Sequence, residues 1–171
     1  GRWPEVMGRP IVALIPKARA AHEGEMGPIA LLPYVHRVWM CARKADVEGW
    51  AKGLHGGAHR SAEALAWELA ALGEAARIRK EYFAAAFLDC SKCYERVGHE
   101  HAGHRARATG CADQVINLAM DMYKSPRIAQ VHGAHSKPVE VNRGMLAGCG
   151  FAVHFLKAII IGILEDKEID S

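Results

Sequence analysis

One short segment constrains this chain more than any other. Tyr82-Phe83-Ala84-Ala85-Ala86-Phe87-Leu88 is a nearly unbroken apolar run, and it closes on a single carboxylate, Asp89. A run that apolar and that short predicts a strand, Tyr82–Asp89, buried on both faces. A bare aspartate at the end of such a strand is costly unless solvent, a metal or a basic partner meets it. The arrangement therefore predicts a central strand whose exposed C-terminal end presents Asp89 to a cleft.

The rest of the chain supplies elements to pack around that strand. Ile11 to Ile15 is β-rich, and Ala18 to Gly27 reads as a loop. A helix is expected from about Pro28 or Ile29 past Trp39, with a break before Trp50 and an interruption at Gly53-Leu54-His55-Gly56-Gly57. Ser61 suits the N-cap of the next helix, whose buried stripe would be Leu65, Leu69, Leu72 and Ala76. After Gly110, Val115, Leu118, Ala119 and Met122 mark an amphipathic helix. Arg127–His132 and Val139–Asn142, separated by Gly133-Ala134-His135, predict a β-hairpin, and a helix from about Phe151 to Leu164 follows. The expected class is α+β, with helices packed on a small, mainly antiparallel sheet.

Bulk properties exclude some functions. The 171 residues suffice for one core, and a net charge of +3 permits a polyanionic partner without demanding one. Five cysteines, an odd count, with no evident signal peptide argue against a disulfide scaffold and for reduced thiols inside the cell, in nucleus or cytoplasm. His154 and Lys157 interrupt the last apolar stretch, so no membrane partner is expected. The polar tail Glu165 to Ser171 reads as the end of a fragment or of a truncated gene product.

Three segments, in order, carry a family resemblance. Ile11-Val12-Ala13-Leu14-Ile15-Pro16-Lys17 with Gly27-Pro28-Ile29-Ala30-Leu31-Leu32-Pro33 resembles a fingers strand and the segment that follows it in retroelement polymerases. Asp89, Lys92-Cys93-Tyr94-Glu95, Val97 and His99 resemble the first palm motif, and Asn142-Arg143-Gly144-Met145-Leu146-Ala147-Gly148-Cys149-Gly150-Phe151 a later one. Together they resemble the reverse transcriptase (RNA-directed DNA polymerase) domain of non-LTR-type retroelements. The resemblance implies a right-hand polymerase fragment, fingers-like over residues 1–80 and partial palm over 81–171, ending before the family's aromatic-x-Asp-Asp motif.

That family adds deoxynucleotides to a primer 3′-hydroxyl on an RNA template. The implied partners are thus an RNA template, its primer and deoxynucleoside triphosphates, and the implied cofactor is a pair of Mg2+ ions. Asp89 would be catalytic and a metal ligand, joined by the backbone carbonyl of Cys90. Lys17, Tyr94, Arg143, Gly144 and Gly148 would face substrate, with Tyr94 screening the sugar 2′ position and Lys17 and Arg143 meeting phosphate. Gly27, Ala147 and Glu95 stand where the family usually has arginine, glutamine and aspartate. A single palm carboxylate cannot hold two magnesium ions, so the fragment alone is expected to be inactive. Two alternatives stand beside this reading: a non-catalytic nucleic-acid-binding remnant, and a zinc domain built on Cys90, Cys93, His99, His101 and His104. The spacing between the cysteines and histidines is short for a zinc finger.

Overall fold

In a computed structural model of the chain, residues 2–4, 9–16, 26–54, 62–87 and 90–165 are described. Their sheet has the strand order β2-β1-β3-β4 and is mixed. β1 (Ile11–Pro16) pairs antiparallel with β2 (Met26–Leu31) and parallel with β3 (Ile128–Val131). β4 (Ala134–His135) closes a hairpin with β3.

Met26–Leu31 is therefore a strand, although the helix was expected to begin within it. Pro28 is tolerated because β2 is an edge strand, where a missing N–H breaks no ladder. The helix begins instead after Pro33, as α1 (Tyr34–Ala42), and breaks at Arg43 before α2 (Lys44–Lys52). The hairpin is tighter than its sequence suggests. His132 and Gly133 both have positive φ, 47° and 84°, which matches the right-handed twist of two strands joined by two residues.

The core lies among three helices, α5 (His99–Ala108), α6 (Asp113–Lys124) and α7 (Ala152–Glu165). Tyr123, Phe155, Ile116, Met122 and Leu146 are its largest fully buried side chains, and Ala30 and Val47 join it from the first half of the chain. The apolar periodicity of α6 and α7 predicts both. Trp3 ties the N-terminal segment down by donating from its indole to Leu118 O (2.8 Å) and from its backbone to Asp121 Oδ2 (2.7 Å). Lys157 on α7 reaches the end of α2, donating to Leu54 O at 3.0 Å, so its stem is packed while its charge meets a carbonyl.

Two expectations fail for one reason. Residues 81–87 form neither strand nor helix; they are exposed, Phe87 at 81%, and residues 88–89 lie outside the described set. Three consecutive alanines explain why apolarity misled: alanine is depleted in strands and has little side chain to bury. α3 (Ala62–Arg79) is present, but Leu65 and Leu72 of its supposed buried stripe are exposed, and its N-cap Ser61 is outside the described residues. Both errors equate an apolar pattern with burial, which also requires a partner surface.

Candidate functional site

The candidate site forms where two distant segments lie against each other. After a short helix, α4 (Cys93–Arg96), the chain passes Val97 and bridges antiparallel to Arg143 through Gly98. Gly144 N–H donates to Val97 O at 2.7 Å, and Met145 N–H donates to Tyr94 O at 2.9 Å. Gly144 has φ of +92°, and a Cβ there would stand 3.0 Å from Glu95 O and 3.3 Å from Glu95 Cα. Backbone thus packs on backbone, which only glycine permits.

The carbonyl of Gly144 is gripped from the other side. His99 Nε2 lies 3.0 Å from it, and because a carbonyl only accepts, that nitrogen carries the proton. Arg127 donates to the same oxygen and also to Tyr123 O, at 3.2 Å. His99 is buried, and its pKa is lowered, chiefly by desolvation, with Arg127 and Lys124 adding repulsion and the Gly144 carbonyl opposing. A neutral imidazole and a cationic guanidinium therefore hold one oxygen between them.

A second glycine repeats the close approach. Gly148, φ +99°, would place a Cβ 3.2 Å from Ala30 O, while Ala30 N–H donates to Ala147 O at 2.8 Å. These contacts dock the Ala147-Gly148 turn on β2. Between the two junctions lies a cavity of about 40 Å³, walled by Val12, Ala30, Tyr94, Glu95, Arg127 and Leu146 among others. That is room for about one water molecule, so this is a joint between segments and not a substrate pocket.

Two larger clefts flank the joint. One, of about 500 Å³, runs past Gly148 between β2, α1, α2 and the start of α7, with Met40 and Phe151 in its wall and Arg37 and Lys44 at its edge. Lys44 is engaged there with Glu48 at 3.7 Å. The other, about 570 Å³, lies beside the Gly98–Arg143 bridge, with Glu100, His101, Lys124, Val141 and Asn142 among its lining residues.

Of the residues singled out in the sequence, Tyr94, Arg143 and Gly144 are brought together. Tyr94 is half-buried and packs against the core, with its pKa raised by desolvation and then by Cys93. Arg143 is exposed beside it on the partner segment, and Gly148 lies across the joint on the β2 side. Lys17 and Asp89 lie outside the described residues; Cys90 is described and exposed. Among the described residues, no three His, Cys, Asp or Glu side chains, Cys90, Cys93, His99, His101 and His104 included, are gathered closely enough to hold a metal ion. His99 is occupied by Gly144. Arg127 was not singled out from sequence; its only signal is a lone cation leading into an otherwise uncharged strand.

No described helix is long and apolar enough to cross a membrane. No family model matches the chain, and no curated protein matches it.

Proposed function

We propose that the chain is a fingers and partial-palm piece of an RNA-directed DNA polymerase of the reverse-transcriptase class. What supports this reading is one convergence. The three segments that carry the resemblance, well separated in sequence, all contribute walls to the same small cavity. Val12, Pro28 and Ala30 come from the first, Tyr94 and Glu95 from the second, and Met145, Leu146 and Ala147 from the third.

On this reading the joint is a frame. It holds Arg143 outward, where a guanidinium can take phosphate oxygens in pairs, and holds Tyr94 by its ring against the core, with its edge toward a bound sugar. In that family two magnesium ions supply the charge that activates the 3′-hydroxyl. The described side chains, with no cluster of three donors, do not fit such a pair. Catalysis would rest on Asp89 together with carboxylates that this sequence lacks in an aromatic-x-Asp-Asp arrangement.

The test is equilibrium binding of a fluorescent RNA–DNA primer–template hybrid over a range of salt. Binding should weaken linearly in logarithmic terms as salt rises, and Arg143→Ala should reduce the slope by about one. No primer extension by this chain is expected with magnesium or manganese. Absence of binding at low salt, or extension that survives Asp89→Asn, would overturn the reading.

A further inference from the structure

The cleft of about 500 Å³ beside Gly148 has an apolar floor and a charged mouth. Ala30, Val47 and Phe151 line it as buried members of the core, and Leu32 and Met40 pack against that core. None of these five side chains offers a strong hydrogen-bonding group. Bonds between the walls fix the shape. Ala30 N–H donates to Ala147 O at 2.8 Å, and Cys149 Sγ donates to Met40 Sδ at 3.5 Å, which ties the glycine turn to both β2 and α1. A pre-formed, mainly apolar concavity of this size with a few polar groups at one end is the usual form of a small-molecule site. The formally charged groups of the lining are Arg37, Lys44 and Glu48. Lys44 and Glu48 face each other at 3.7 Å, while the exposed Arg37 guanidinium has no side-chain partner among the described residues.

We propose that this cleft binds a medium-chain fatty carboxylate, with its tail on the apolar floor and its head group on Arg37. Charge and size select this occupant. One unpaired guanidinium matches one carboxylate, which its fork can take through two parallel hydrogen bonds. Glu48 stands at the same mouth and repels a second negative charge, so a triphosphate is a poor fit. The floor likewise gives the polar edge of a nucleobase no side chain to bond, and burying that edge there is costly. An alkyl tail has no such demand and gains by leaving water. At roughly 30 Å³ per water-sized group, the cleft has room for a chain of about ten carbons. The inference is independent of the polymerase reading, although Gly148 borders the cleft.

The experiment is calorimetric titration of the intact chain with decanoate, below the concentration at which decanoate forms micelles. Saturable binding of a single decanoate per chain is expected. Decanol, which keeps the tail and lacks the charge, should bind about tenfold more weakly, the usual worth of a hydrogen-bonded charge. Arg37→Gln should weaken decanoate by about the same factor and leave decanol unchanged, which a loss of fold would not do. Cys41 is exposed and lines the cleft, so Cys41→Trp should fill the mouth and abolish binding of both ligands, with thermal unfolding of the free protein unchanged. Saturating decanoate should also slow alkylation of Cys41 and leave that of Cys90, which is exposed outside the cleft, as it was. Unsaturable binding, decanol as tight as decanoate, an Arg37→Gln variant that binds decanoate normally, or Cys41 labelled equally fast with and without ligand would each overturn the proposal. Displacement of decanoate by a deoxynucleoside triphosphate would overturn it in favour of a nucleotide occupant.

Discussion

Gly144 lies so close to Glu95 that a Cβ on Gly144 would stand 3.0 Å from the Glu95 carbonyl oxygen, with φ at +92°. The atom in the way belongs to the backbone and cannot rotate aside. Gly144→Ala therefore combines left-handed strain with a contact that must be relieved by moving a segment. A loss of about 2–4 kcal/mol in unfolding free energy is expected in urea titration. Gly133→Ala, with φ of +84° but nothing within 4 Å, is the control and should show the strain alone, about 1–2 kcal/mol.

The Gly144 carbonyl has two donors, and each covers partly for the other. Arg127→Met and His99→Ala should each cost about 1–3 kcal/mol, since each removes a donor from a buried acceptor. Their double mutant should differ from the sum of the singles by at least about 0.5 kcal/mol, because the two share one partner. Additive losses in chemical unfolding would show that the donors act separately.

His36 is fully buried against Trp3 and Trp39, and neither ring nitrogen has a hydrogen-bond partner. Desolvation lowers its pKa from 6.5 to about 4. The folded state thus binds fewer protons than the unfolded state between these values. Stability is complete above pH 6.5 and falls as pH drops toward 4, by on the order of 3 kcal/mol at 1.4 kcal/mol per unit. His99 is shifted in the same direction and adds to the loss. His36→Phe should flatten the acid side of the profile and raise stability at pH 7 by about 1–2 kcal/mol, as two unsatisfied polar atoms leave the core. An unchanged acid limb in pH-dependent unfolding would refute this.

The thiols should separate by exposure. Cys41 and Cys90 are exposed, while Cys111 and Cys149 are buried. Burial pushes the Cys111 thiol up to about 11 and also raises that of Cys149, which accepts a hydrogen bond from Tyr123 at 3.1 Å. Alkylation of the native protein at pH 8, read by mass spectrometry, should label Cys41 and Cys90 within minutes. Cys111 and Cys149 should react only at the rate of unfolding. Prompt labelling of Cys149 would contradict the buried pair.

Periodicity was legible where an element's own pattern decides its form. Val115, Ala119 and Met122 on α6 and the apolar length of α7 each predict a helix that the fold contains. The β-rich run at Ile11 likewise forms β1. Gly144 and Gly148, singled out as substrate-facing, prove to be positions of positive φ. The Tyr82–Leu88 run and the α3 stripe were read as buried, because apolar residues in sequence state a preference for leaving water without naming a surface to leave it for. The placement of Asp89, on which the catalytic expectation rests, falls outside the described residues.

The sequence by itself determined the local elements: helices where apolar residues recur at helical spacing, and turns where glycine releases φ. It also determined the order of the three segments that resemble a polymerase. Only the tertiary structure decided which segments meet. Gly144 on Glu95, Gly148 on Ala30, and His99 with Arg127 on one carbonyl are contacts to backbone atoms. Every residue carries the same carbonyl, so no side-chain pattern can announce which one will be the acceptor. That choice is made when the chain closes on itself and each buried polar group must find a partner within reach.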